Sequence, residues 1–263
     1  MVQRLISGVI AGLIFLGVIL LGDGYYSAFL TIVALLGYHE FARLNGFPPF
    51  RWDVIAGYAA VLLLSVPVPP FGWDPVSIEG CTWLLLFLLL SSTVFSKNKI
   101  HLEHASLLFL GAFYIGIGFR YMVVTRDLEH GVFWTLLTFF CIWASDAGAY
   151  FVGRAVGKRK LWPAISPNKT VEGAVGGLVI SVIVGLVFYF LHPNWVGLWQ
   201  AMGVALASAI AGTLGDLVQS AYKRLRGVKD SGNLLPGHGG VLDRTDSWLI
   251  VFPFVHVLGL LPN

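Results

Sequence analysis

Asp216, Ser220 and Lys223 stand at i, i+4 and i+7 in the run Gly212-Thr-Leu-Gly215-Asp216-Leu-Val-Gln-Ser220-Ala-Tyr-Lys223-Arg224. On a helix that spacing sets a carboxylate, a hydroxyl and an ammonium on one face, a polar track for a ligand. The densest polar segment follows at once and holds Pro236, Gly237, His238, Gly239 and Gly240, then Asp243 and Asp246. Glycines let the backbone turn sharply and bring its N–H groups close to a ligand. Two carboxylates at i, i+3 face the same way if a helix has begun. Such a pair suits Mg2+, a hard cation that keeps waters and shares phosphate oxygens. Arg224, Lys229 and Arg244 lie in the same segment. Their ammonium and guanidinium groups suit phosphate, as point charge and as fork. His238 has two readings, a general acid/base and a hydrogen-bond donor within the glycine loop; the second is favoured because phosphate is already a good nucleophile.

Two further places carry polar chemistry. Asp146 lies in the apolar run Cys141-Ile-Trp-Ala-Ser-Asp146-Ala-Gly-Ala-Tyr. An acid at such a depth is costly unless it is paired or faces a wet cavity, which makes it a functional candidate. A basic loop runs from Gly153 through Lys158, Arg159 and Lys160 to Ser166-Pro167-Asn168-Lys169-Thr170-Val-Glu172-Gly173. Its Gly153-xxx-Gly157-Lys158-Arg159 is one residue short of a Walker A motif, with Arg where the metal-binding Ser/Thr would stand, and is rejected. Thr170 is a candidate N-cap for the following apolar run, which puts Lys169 at a helix N-terminus, where phosphate is favoured. Positive-inside bias explains the charge of this loop but not its Ser-Pro-Asn-Lys-Thr chemistry.

The elements that must position these groups are read from hydropathy. The chain has 263 residues, 57% apolar and 12% charged, with mean hydropathy +0.78. A soluble domain carries roughly 25% charge, so a soluble enzyme, a disordered chain and a free nucleic-acid binder are excluded. Apolar runs long enough to cross a bilayer fall near 5–22, 25–42, 54–72, 81–96, 105–123, 131–152, 172–191, 196–222 and 246–261. The expected fold is an all-α polytopic membrane protein with about nine transmembrane helices. About five belong to an N-terminal region, 1–130, and about four to a catalytic region, 131–263. With the N-terminus inside, Arg120 and Arg126 are the only outer cations, and every other Lys and Arg falls on the inner side. That asymmetry supports a cytoplasmic N-terminus and an outer C-terminus. Pro67, Pro69, Pro70 and Pro75 read as an outer loop. His39, Glu40 and Arg43 read as a helix end meeting the inner interface. Cys81 and Cys141, each in an apolar run, read as small core residues.

Taken together, these residues describe an enzyme that joins a lipid to a cytoplasmic polyphosphate through Mg2+. The run Ser220-xx-Lys223-Arg224-x4-Lys229-Asp230-x5-Pro236-Gly237-His238-Gly239-Gly240-xx-Asp243-Arg244-x-Asp246 resembles the signature of the phosphatidate cytidylyltransferases, or CDP-diacylglycerol synthases. Ser145-Asp146, Ser166-Pro167-x-Lys169-Thr170-x-Glu172-Gly173 and Gly215-Asp216 resemble further motifs of that family, with Asn168 at a position where the family has Lys or varies. The resemblance implies the reaction of CTP and phosphatidate to CDP-diacylglycerol and pyrophosphate, with Mg2+ as cofactor. It implies Asp216, Asp243 and Asp246 as metal ligands and Ser220, Lys223 and Lys229 as phosphate-orienting groups. Lys169 and Arg244 would neutralise the triphosphate or lipid head group, with Asp146 a further ligand or a supporting acid. Ser166, Thr170, Arg224, Gly237, Gly239 and Gly240 complete the expected substrate contacts. Partners expected are CTP, phosphatidate and the surrounding lipid, with no nucleic acid; a homodimer is an open state of assembly. The expected location is a bacterial inner membrane, with the active site facing the cytoplasm. A CTP-dependent lipid-alcohol kinase and a transporter are the rival readings.

Overall fold

The computed structural model describes residues 2–66, 77–232 and 239–262. Pro67, Pro69, Pro70 and Pro75 of the expected outer loop, and Pro236, Gly237 and His238 of the glycine loop, lie outside the described residues. The chain divides into two compact units, one of residues 1–124 and 230–243, the other of 125–229 and 244–263.

The first unit contains α1 (Val2–Leu21), α2 (Asp23–Leu44), α3 (Trp52–Ser65), α4 (Ile78–Phe95) and most of α5 (Leu102–Asp127). Its buried side chains include Tyr38, Leu64, Leu85, Leu108, Ile115 and Phe119. Ser77 caps α4 by accepting from the Gly80 N–H at 2.9 Å. Arg120, one of the two cations assigned to the outer side, reaches the C-terminus of α3 and donates to the Val66 carbonyl at 3.1 Å and the Leu64 carbonyl at 3.5 Å. Its charge is thus spent on carbonyls that the helix end leaves without donors.

The second unit contains α6 (Gly131–Val156), β1 (Lys160–Trp162), β2 (Ser166–Thr170), α7 (Val171–Leu191), α8 (Leu198–Leu225) and α10 (Trp248–Val257). The short α9 (Leu242–Thr245) straddles the boundary between the units. Helix α7 packs on α6 and α8 through Gly173, Gly177, Ser181 and Gly185, a buried stripe at every fourth residue. The Ser181 hydroxyl lies 3.1 Å from the Cys141 carbonyl of α6 and 3.0 Å from the Ala205 carbonyl of α8. Small residues let backbones approach where the solvent is as apolar as the side chains and burial drives nothing. The other side of α7 exposes Val175, Val179, Ile183, Val187 and Phe190, a face made for hydrocarbon.

Among the described residues, α4, α5, α6, α7 and α8 are long and apolar enough to cross a membrane. The described residues of the remaining expected runs are largely helical too, with α3 covering 14 residues and α10 covering 10. The all-α expectation needs one correction. Residues of the basic loop pair as an antiparallel hairpin, Lys160 opposite Thr170 and Trp162 opposite Ser166. Backbone groups that leave a helix need new partners, and the two arms of the loop supply them to each other. Cys81 and Cys141 are free and buried.

Candidate active site

The second unit gathers six of the expected residues. Strand β2 ends at Thr170, whose hydroxyl accepts from the Gly173 N–H at 3.1 Å and caps α7 as its spacing predicts. Glu172 closes the hairpin from the first turn of α7, accepting the N–H groups of Lys158 at 3.0 Å and Arg159 at 3.1 Å. The hairpin so held presents Lys169 to α8. Lys169 Nζ lies 2.6 Å from Asp216 Oδ2, and Ser220 Oγ donates to Asp216 Oδ1 at 3.1 Å. The second contact is the i, i+4 pairing expected along α8. Asp146, on α6, lies in the field of Asp216 and Lys169. Asp246 lies in the field of Asp216, Lys223 and Asp146.

Asp246 sits in the turn between α9 and α10, where its Oδ1 accepts the Ser247 N–H at 2.8 Å. This turn rests directly on α8. A Cβ at Gly215 would stand 2.6 Å from the Asp246 carbonyl oxygen and 3.2 Å from Ser247 Cα. The absence of a side chain at Gly215 is therefore what lets Asp246 come up beside Asp216. Three carboxylates and two ammonium groups share one neighbourhood, and the surplus negative charge suits a cation. Among the described residues, no three acidic, His or Cys side chains converge tightly enough to hold a metal by themselves. What the cluster offers is a small number of hard oxygen donors beside cations, as a metal carried in with ligand phosphates would use.

The first unit holds the feet of the glycine loop. Asp243 Oδ2 accepts the Ser231 N–H at 2.7 Å, the Gly240 N–H at 2.9 Å and the Ser231 hydroxyl at 3.1 Å. Gly239 adopts φ +82°, a left-handed conformation that favours glycine. Glu40, read from sequence as a helix end, accepts the N–H groups of Val241 at 2.8 Å and Leu242 at 3.0 Å and the Ser231 hydroxyl at 3.1 Å. Sequence reasoning missed this role because the partners lie 191 to 202 residues away and a lone acid at a helix end carries no spacing signal.

The other expected residues are dispersed. Ser166 is half-buried at the start of β2, where it pairs with Trp162. Arg224 is exposed and donates to the Val228 carbonyl at 3.4 Å, just past the end of α8. Lys229 and Arg244 are exposed. His238 and Gly237 fall outside the described residues.

Known proteins match this chain in sequence over nearly its whole length. The profile of the cytidylyltransferase family matches residues 2–261. A protein of Staphylococcus haemolyticus named phosphatidate cytidylyltransferase is 40% identical over 256 residues, 97% of either chain. Proteins of the same name from Staphylococcus saprophyticus and Staphylococcus aureus are 39% and 38% identical, again over 97% of either chain.

Proposed function

The chain belongs to the cytidylyltransferase family, and on that footing we propose that it transfers the cytidylyl group of CTP to phosphatidate, yielding CDP-diacylglycerol and pyrophosphate for phospholipid synthesis. A phosphatidate oxygen attacks the α-phosphorus of CTP; the new P–O bond forms as the bond to the bridging oxygen breaks and pyrophosphate leaves. Negative charge builds on the attacking, equatorial and leaving oxygens, so the protein's task is positioning and neutralisation. The observation that carries the reading is the cluster of Lys169, Asp216 and Ser220 with Asp146, Asp246 and Lys223 around it.

In this reading Lys169, Lys223, Lys229, Arg224 and Arg244 bind and orient phosphates, and Ser220 fixes the rotamer of Asp216. The donor set of the second unit fits Mg2+: carboxylate oxygens, each partly open to solvent at Asp216 and Asp246, without a complete protein cage among the described residues. Mg2+ usually takes one or two carboxylates plus substrate phosphates and keeps several waters, so no cage is required. Asp216 and Asp246 would hold it, with Asp243 a further expected ligand that the sequence resemblance implies, and when bound it would neutralise charge on the phosphates and on the departing pyrophosphate. Gly237, His238, Gly239 and Gly240 are the loop residues assigned to phosphate contact, with the Gly240 N–H held by Asp243. Ser166 and Thr170 hold the hairpin that carries Lys169. The diacyl tails stay in the bilayer.

The topology we propose has a cytoplasmic N-terminus and about nine crossings of a bacterial inner membrane, supported by the clustering of Lys and Arg in alternate loops. The active site then faces the cytoplasm, where CTP is available. The test is an assay on purified protein in lipid nanodiscs with CTP labelled at its α-phosphate. Label is expected to enter the lipid phase with one pyrophosphate released per turnover, dependent on phosphatidate and abolished by EDTA. Release of CDP with a lipid alcohol as acceptor would show a kinase instead. Flux across liposomes without CTP would show a transporter.

A further inference from the structure

The β1–β2 hairpin joins the end of α6 to the start of α7, and both helices are long and apolar enough to cross a membrane, so the hairpin stands at one membrane surface. Its base is tied down. The Val171 N–H donates to the Arg159 carbonyl at 2.9 Å, and Glu172 accepts the N–H groups of Lys158 and Arg159. Further out the chain turns at 162–165, with the Ile165 N–H donating to the Trp162 carbonyl at 3.2 Å. Lys158, Arg159 and Lys160 are exposed on this frame, and Trp162 beside them leaves 55% of its surface open. Along β1 the half-buried Leu161 separates exposed Lys160 from exposed Trp162, so ammonium and indole share one face. Lys169, by contrast, turns to Asp216. Near the end of α6, Tyr150 and Phe151 are also open, at 59% and 67%. Aromatic rings at the ends of spanning helices settle at head-group level, with an apolar body in the interface. Three consecutive cations complement the negative potential of an anionic leaflet. Positive-inside bias asks for cations anywhere in a short loop and does not ask for an indole held beside them.

On the reading of phosphatidate as the acceptor, we propose that this face of the hairpin docks on anionic phospholipid head groups: Trp162 seats in the interface, while Lys158, Arg159 and Lys160 gather phosphatidate from the adjoining leaflet. Phosphatidate carries its charge on a terminal phosphate, and a cluster of cations raises its local concentration without gripping any one molecule. Removing the cations therefore raises the amount of phosphatidate the enzyme needs and leaves CTP binding and the chemical step alone.

The experiment uses the full-length protein in nanodiscs of phosphatidylcholine, alone or with about a third phosphatidylglycerol. Ala164→Cys, at the exposed turn of the hairpin, carries a fluorophore, since Cys81 and Cys141 are buried. Lipids bearing a nitroxide on the head group quench it. Two changes are compared on this background: Lys158→Gln, Arg159→Gln and Lys160→Gln combined, and Trp162→Ala. Phosphatidylglycerol is expected to strengthen quenching with the cations present and to have no effect in the triple variant, while Trp162→Ala weakens quenching in both lipids. Cytidylyl transfer is measured on the same samples without the label. The triple variant is expected to raise KM for phosphatidate, as mole fraction in phosphatidylcholine, by roughly tenfold or more. Its kcat and its KM for CTP are expected to stay within about twofold. Phosphatidylglycerol should compete for the cations and raise KM for phosphatidate in the unsubstituted chain, but not in the triple variant. Quenching indifferent to lipid charge, or unchanged by loss of the cations, overturns the docking. A label unquenched in either lipid gives the face to a water-soluble partner and overturns it equally. Charge-dependent quenching with unchanged KM for phosphatidate overturns the gathering role. Absence of transfer in the unsubstituted protein defeats the reading of function instead, while the quenching still decides the docking. If the triple variant does not fold, Lys158→Gln and Lys160→Gln taken singly decide the matter by smaller changes in the same directions.

Discussion

Replacing Lys169 by Met separates two roles that one ammonium group can fill. The substitution keeps an unbranched side chain, one heavy atom shorter, and removes its charge. In the structure Nζ is 2.6 Å from Asp216 Oδ2, with the two side chains 27% and 34% exposed. Exposed pairs contribute about 0.2–1 kcal/mol, and breaking a fully buried pair costs about 3–5 kcal/mol. A pair this open to water lies nearer the lower range, and its loss is expected to cost about 1–2 kcal/mol, softened by the Ser220 hydroxyl that remains on Asp216. The melting temperature should then fall by roughly 3–6 °C. If Lys169 also grips a phosphate of CTP, a charge-assisted hydrogen bond of about 1.5–3 kcal/mol is lost during turnover, and kcat/KM for CTP falls roughly 10- to 100-fold. The assay is lipid-phase incorporation of labelled cytidylate across a CTP series, run beside thermal unfolding. Asp216→Asn supplies the control, since it breaks the same ion pair from the other side. It is expected to raise the Mg2+ concentration needed for half-maximal rate, whereas Lys169→Met is not. Retention of kcat/KM within about threefold, alongside the expected drop in melting temperature, would refute the reasoning and reduce the pair to a structural one.

Three other outcomes follow from the geometry. Gly215→Ala should push the Asp246 turn away from α8 and lower kcat/KM for CTP by roughly tenfold or more, measured in the same assay, while circular dichroism shows helix content unchanged. Ser181→Ala removes the hydroxyl that α7 offers to the Cys141 and Ala205 carbonyls, and should lower stability by about 0.6–1.7 kcal/mol in detergent unfolding, with activity per folded molecule kept. Arg120→Gln, far along the chain from the proposed chemistry, should lower stability by about 1 kcal/mol with KM for both substrates unchanged, as the C-terminal carbonyls of α3 lose their cationic donor.

The legible parts of this protein are those with local signals. Apolar runs near a bilayer's width marked the helices, because a helix that meets lipid must satisfy its own backbone and show apolar side chains. The stripe Asp216, Ser220, Lys223 was readable because helical spacing alone brings Ser220 to Asp216. Thr170 was readable because an N-cap has a preferred residue and a following apolar run. The β1–β2 hairpin was not, since a basic loop with Pro167 shows no alternation of apolar and polar residues. The buried stripe from Gly173 to Gly185 was present as small residues at every fourth position, and an i+4 scan for Gly and Ser would have found it. Glu40 was beyond reach: its meaning lies in backbone donors in a distant segment, and backbone donors have no letter in the sequence. Asp243 was readable as an acid beside glycines, but its hold on Ser231 and Gly240 depends on a loop closing upon itself.

The backbone passes between the two units inside α5, again at 229–230, and again inside α9. A chimaera joined at residue 130 would thus separate Glu40 from the amides of Val241 and Leu242 that donate to it. An N-terminal fragment made alone would carry a desolvated anion with nothing to answer it. Exchanging halves between relatives calls for a discontinuous graft in which residues 230–243 travel with the N-terminal piece.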